Sequence, residues 1–140
     1  MTSDALYHDA LVALARARTG AGALAAPAGA ATRDNPMCGD RVTFEVVLED
    51  GRIAALAHRV RGCLLCEAAA ALLGRTAPGR PAAEVADARE QVAALLAGAR
   101  PAAGWAELEV FTPVRDVPSR HGCVLLPFEA LGDALARARG

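Results

Sequence analysis

The stretch from Arg41 to Arg61 constrains the fold of this chain more than any other. Between Arg41 and Glu49 apolar and polar residues alternate, with Val42, Phe44, Val46 and Leu48 on one side, the period of a strand with one buried face. Asp50-Gly51 follows, a pair that tolerates the positive φ angles of a tight hairpin, and Arg52 to Arg61 reads as the returning strand. The apolar face of such a ribbon must be covered by a second layer.

Helices supply that layer. Asp4 to Ala15 carries apolar residues at helical intervals, with Ser3 or Asp4 able to cap its free amides, and this first helix ends by about Gly20. Leu64 to Leu73 is dominated by good helix formers, bounded by Gly62-Cys63 before it and Gly74 after it. A further helix spans Ala82 to Ala97 between Pro81 and Gly98, with Val85, Val92, Leu95 and Leu96 inward, and Cys123 to Arg139 forms a last amphipathic helix. Residues 20 to 34, rich in Ala and Gly, contain Pro27 and show no amphipathic period, so they read as an irregular, mobile connection. Residues 100 to 120, punctuated by Pro101, Gly104, Pro113 and Pro118, read as loop with a short helical turn around Glu107 to Phe111. With 140 residues and neither a repeat nor a linker, the expectation is one domain, 1–140. Its class is α+β: a small antiparallel sheet of about three strands with helices packed on one face.

Charge removes several classes of function. The net charge of -1 leaves no excess of cations to neutralise phosphates, so no nucleic-acid partner is expected. All 15 basic residues are arginine, which rules out Schiff-base chemistry and the phosphate-binding lysine of a P-loop, since both need an amine. No apolar run approaches the roughly 18 residues needed to span a bilayer, and Met1-Thr2-Ser3-Asp4 is not a basic leader, so the chain is expected to be cytoplasmic with no membrane association. In that reducing compartment four cysteines read as free thiols, metal ligands or redox groups rather than disulfides.

Three of these thiols follow or precede a chain break: Cys38 before Gly39, Cys63 after Gly62 and Cys123 after Gly122. Such positions leave sulfurs exposed at element ends. Cys63 and Cys123 fall at helix N-termini, where aligned backbone amides favour negative charge, so lowered thiol pKa values are expected for both. Asp40 adds a hard oxygen donor two residues from Cys38, and a mixed sulfur and oxygen set suits a borderline-soft metal such as zinc or iron. Cys66 makes a Cys-x-x-Cys pair with Cys63, and it reads as a redox partner, a substitute ligand or, above all, a small core residue. His58 reads as a sheet histidine, His8 as a surface one, and Trp105 and Phe111 as residues that close the core. Asp40 has a structural alternative, capping a turn or pairing with Arg41. Arg120 reads equally as solvated or as a contact for a persulfide or an acidic partner.

Taken together, Asn35-Pro36-Met37-Cys38-Gly39-Asp40-Arg41, Asp50-Gly51-Arg52-Ile53, Arg61-Gly62-Cys63 and Arg120 to Cys123 resemble the motifs of the NifU/IscU/SufU-like iron-sulfur cluster assembly scaffolds, over nearly the whole chain. The long insertion between Cys63 and Cys123, and the arginine three residues before Cys123, resemble the SufU-like branch; no Leu-Pro-Pro-Val-Lys chaperone motif is present. The family usually places a basic residue or histidine immediately before the third cysteine, whereas Gly122 stands there and His121 lies one residue earlier, and Cys66 occupies a place where a small hydroxyl residue is usual.

The resemblance implies a SufE/NifU-like fold and Cys38, Asp40, Cys63 and Cys123 as ligands of zinc, of iron or of a transient 2Fe-2S cluster. It implies Cys38 as the sulfur acceptor, a SufS-like cysteine desulfurase as donor, and recipient apo iron-sulfur proteins or carriers as partners. Two readings use these same residues. In one, the four ligands hold a cluster while it is built, with Asp40 promoting release. In the other, the protein is a zinc-dependent sulfurtransferase and desulfurase activator with no scaffold role: a histidine of the desulfurase displaces Cys38 from zinc and the freed thiolate takes the sulfur. A zinc hydrolase is disfavoured, because these motifs offer neither a general base nor histidine ligands.

Overall fold

The computed structural model describes residues 3–99 and 104–139, with side chains from His8 onward. The caps expected from Ser3 or Asp4, and the loop expected at 100–103, lie outside what is described. Helix α1 (Ser3–Ala17) leads into a three-stranded antiparallel sheet, β1 (Gly29–Asn35), β2 (Asp40–Glu49) and β3 (Arg52–Arg61), paired in that order. Helices α2 (Leu64–Thr76), α3 (Ala82–Ala86) and α4 (Ala88–Leu96) follow, then a 3-10 segment (Ala106–Asp116), a short 3-10 turn (Pro118–Arg120) and α5 (His121–Ala138).

The hairpin forms as the alternation dictates. Val42, Phe44 and Val46 are fully buried, and Asp50 and Gly51 both take positive φ at the turn. A bulge between Val47 and Leu48 shifts the register so that Leu48 faces Ile53. Helix α5 lies across β1 and β2 while α2 packs against α5, β3 and α1, giving the α+β arrangement. Buried alanines at 68 to 71 bring α2 close to its neighbours, and Trp105 and Phe111 close the core as expected. The Trp105 indole donates to Thr76 Oγ1 at 3.2 Å under the Arg80 guanidinium, and Phe111 meets Phe128 edge-on.

Four local expectations are overturned. Residues 20–34 are neither irregular throughout nor loose: residues 29–35 form β1, and Gly22 N–H donates to His58 O while His58 N–H donates to Gly20 O, each at 2.9 Å. The strand shows no apolar pattern because Gly29 sits directly on α5, where a methyl would overlap the Ala134 carbonyl, and because Ala31 is small enough to follow it. Gly74 does not end α2; it lies inside the helix because Thr19 presses its carbonyl oxygen where a Cβ would stand. The expected helix from Ala82 to Ala97 is two, broken at Asp87, although Val85, Val92, Leu95 and Leu96 are all buried. The 3-10 segment is also longer than the turn expected at Glu107 to Phe111.

Candidate metal and sulfur site

The Asn35 to Asp40 string is the β1–β2 hairpin loop. Asn35 pairs with Asp40 at the end of the ladder, its Oδ1 accepts from Met37 N–H at 3.0 Å, and its carbonyl accepts from Gly39 N–H at 2.7 Å. These bonds fix the loop base and leave Met37 and Cys38 exposed. Asp40 is the first residue of β2 and shares the parity of Val42, Phe44 and Val46, so its carboxylate turns toward the core and is only 5% exposed. Gly62 packs against it: a Cβ there would stand 2.7 Å from Asp40 Cγ. Arg41 pairs with exposed Asp34 at 2.7 Å, not with Asp40.

Cys38 Sγ, Cys123 Sγ and a carboxylate oxygen of Asp40 lie within 4.8 Å of one another, with the two sulfurs 3.7 Å apart. Asp40 Oδ2 is buried and has no hydrogen-bond partner. A buried carboxylate oxygen without a donor is costly unless a cation satisfies it, and two thiols beside it supply the soft donors that zinc or iron takes. The chemistry of the donor set therefore fits such a metal. Cys63 stands outside this group of three, as the partly exposed N-cap residue of α2.

Cys123 departs from expectation. It is 2% exposed rather than open, because α5 starts at His121 and turns the sulfur inward in its first turn. Burial, followed by its contacts with the Cys38 and Cys63 thiols, pushes the Cys123 thiol up to about 12 rather than down, so desolvation outweighs the helix N-terminus. Cys66 is fully buried and its thiol is pushed up by burial, then by Asp40 and the other three sulfurs. His121 Nε2 contacts the carbonyls of Val114 and Arg115 at 3.0 and 3.1 Å, which ties its ring to the preceding segment rather than to the thiols. His58 lies on the sheet as read, its Nε2–H donating to Thr19 O at 2.8 Å, and His8 is exposed. Sequence reasoning missed an apolar cavity of about 470 Å3 next to Cys63 in the chain, lined by Leu64, Leu65, Val114 and Val117 with Arg120 among its walls. The exposed Leu64 was the available signal.

No family model and no curated protein matches the chain. Solved structures do. A nitrogen-fixing NifU-like protein (N-terminal) from Brucella abortus superposes with a TM-score of 0.89 at 31% identity, covering 97% of this chain and 96% of its own. The chain belongs to the NifU-like N-terminal family. A protein assigned as an iron-sulfur cluster assembly scaffold for the SUF system of Fervidobacterium islandicum AW-1 has the same fold, with a TM-score of 0.84, 20% identity and coverage of 96% and 99%. A hypothetical protein shares it too, at a TM-score of 0.81, 21% identity and coverage of 95% and 98%. Among the described residues of this NifU-like chain, no helix is long and apolar enough to cross a membrane.

Proposed function

We propose that this protein assembles iron-sulfur clusters, with Cys38, Asp40, Cys63 and Cys123 as its ligands and Cys38 as the acceptor of sulfur from a cysteine desulfurase. The carrying observation is the meeting of Cys38, Asp40 and Cys123 within 4.8 Å around a buried, partnerless Asp40 Oδ2. Membership of the NifU-like family agrees with it, as does the scaffold assignment of the SUF-system neighbour. Arg120 before Cys123 and the long insertion favour the SufU branch.

Zinc held by these residues would supply a positive charge that keeps the thiols deprotonated and the carboxylate satisfied. The chain's own part begins at Cys38, the exposed thiol of the set on a loop that can approach a partner. Its thiolate attacks the terminal sulfur of the desulfurase persulfide; a new S–S bond forms on Cys38 as the old one breaks, and the desulfurase cysteine leaves as thiolate. The apolar cavity lined by Leu64 and Leu65, with Arg120 among its walls and making no ion pair among the described residues, offers that partner a surface. In the scaffold reading an external two-electron reductant, a thiol pair or an electron-transfer protein, cleaves the Cys38 persulfide to the Cys38 thiolate and sulfide, and that sulfide, gathered with iron at the same ligands, is cargo passed to apo proteins.

The exposure of Cys38 favours the second reading, a zinc-dependent sulfurtransferase that activates the desulfurase without building a cluster. Anaerobic reconstitution with iron and sulfide, metal analysis of the purified protein and a desulfurase assay separate the two. A stable visible chromophore supports the scaffold; stoichiometric zinc with desulfurase stimulation and no chromophore supports the acceptor. Were Cys38→Ser to leave zinc binding, cluster binding and stimulation all intact, the shared site would be wrong.

A further inference from the structure

Turning a sulfur held on Cys38 into sulfide takes two electrons, and a second thiol is placed to supply them. Cys123 Sγ donates its S–H toward Cys38 Sγ at 3.7 Å, so the two sulfurs touch before any partner arrives. A disulfide bond needs about 2.05 Å. The loop that carries Cys38 can close that difference, since Pro36 to Gly39 are all exposed, whereas Cys123 is held in the first turn of α5 and is 2% exposed. The other thiols are no rivals. Cys63 and Cys66 both stand outside the group that lies within 4.8 Å, and Cys66 is fully buried in α2. Among the described residues, Cys123 is the thiol in reach of a sulfur on Cys38.

We propose that Cys123 is the resolving thiol of sulfur transfer, which attacks Cys38 Sγ in the Cys38 persulfide and expels the outer sulfur. The inference rests on Cys38 as the sulfur acceptor, proposed above. A bond forms between Cys123 Sγ and Cys38 Sγ while the bond from Cys38 Sγ to the outer sulfur breaks, its electron pair leaving with that sulfur. The Cys123 proton goes to the departing sulfur, which leaves as hydrogen sulfide. Burial holds that proton on Cys123 until then, so attack and proton transfer go together. Cys123 is oxidised, the outer sulfur is reduced, and Cys38 Sγ is half of a disulfide before and after. An external dithiol then acts on the Cys38–Cys123 disulfide rather than on the persulfide: it attacks the exposed Cys38 sulfur, becomes a disulfide itself and returns both thiols. Sulfurs already in contact replace a chance encounter with a dissolved thiol, which is worth a large effective concentration. Resolution belongs to the metal-free protein, and the reduction that follows restores two ligands for iron.

The test uses metal-free, full-length protein persulfidated anaerobically by either of two donors, a cysteine desulfurase with cysteine or a small alkyl persulfide. Cleared of donor and given no thiol, wild type should release about one sulfide per persulfide and show a Cys38–Cys123 linked peptide in non-reducing mass spectrometry. Cys123→Ser, nearly isosteric, should keep its sulfur on Cys38 and release sulfide at least about tenfold more slowly until a dithiol is added. A persulfide as long-lived in wild type as in the variant would overturn the resolving role. So would a linked peptide that holds Cys63 instead, or the sulfur found intact on Cys123. If Cys123→Ser does not fold, the wild-type linkage and its matching sulfide yield decide alone. Sulfur taken from the small persulfide but not from the desulfurase would sink the acceptor reading while resolution is still measured; no sulfur on Cys38 from either donor would sink both.

Discussion

Cys38 and Cys123 lie 3.7 Å apart yet belong to regions built in opposite ways. Cys38 rides on a hairpin loop held at its base by Asn35, with Pro36 to Gly39 all exposed. Cys123, Cys66 and Asp40 rest on helices and a strand whose neighbours are fully buried. Under the function proposed above, the difference separates two demands that one thiol cannot meet at once: reaching another protein, and keeping a ligand geometry. Core packing meets the second, and its failure should be expensive; loop exposure meets the first, and changes there should cost little stability.

The largest expected effect breaks the anchored half. Gly74→Ala, which drives a methyl into Thr19 O, should lose about 3 kcal/mol in chemical denaturation, whereas Met37→Ala, at a side chain 92% exposed, should change stability by less than about 0.5 kcal/mol. Comparable losses for the two would mean that the halves are not mechanically distinct. Reactivity sharpens the contrast next: in metal-free protein, mass spectrometry after brief alkylation should find Cys38 modified at least about tenfold faster than Cys123 or Cys66, whose burial hides the sulfur and keeps it protonated. Equal rates would refute the burial described for α5.

A smaller effect concerns pH. His58 is buried with Nδ1 unpartnered; burial lowers its pKa below 6.5, nearby Arg18 lowers it further, and the Thr19 carbonyl opposes both. Because the unfolded state then binds the proton more readily than the folded state, this contribution to stability is complete above about pH 6.5 and is lost as the pH falls below that value. Urea denaturation between about pH 7 and pH 5 should show a steeper fall for wild type than for His58→Phe, and parallel slopes would contradict it.

Much of this was legible in the residues. The Arg41 to Arg61 hairpin could be read because a half-buried strand must alternate, and the same parity, carried back to Asp40, would have turned that carboxylate inward. The NifU-like resemblance grouped Cys38, Asp40, Cys63 and Cys123 because their motifs are local; the structure brings Cys38, Asp40 and Cys123 within 4.8 Å of one another and leaves Cys63 outside that group. β1 was hidden for the opposite reason. Its partner α5 demands small residues, and glycine and alanine carry no periodic signal. Gly74 misled in the same way, since a glycine needed for close packing looks like a helix stop. The Cys123 thiol was misjudged because a helix N-terminus is visible in sequence while desolvation depends on what the rest of the chain lays over it.

Eighty-five positions separate Cys38 from Cys123, and β1 is held to α5 through Arg33–Asp133 and Arg137–Ala30 contacts that span still more of the chain. On the ribosome the N-terminal thiol therefore emerges long before its counterpart exists. At about 5–20 residues per second that interval is roughly 4–17 s. For that time the nascent chain carries an unguarded cysteine, and α5 is the piece whose docking brings the second thiol to it.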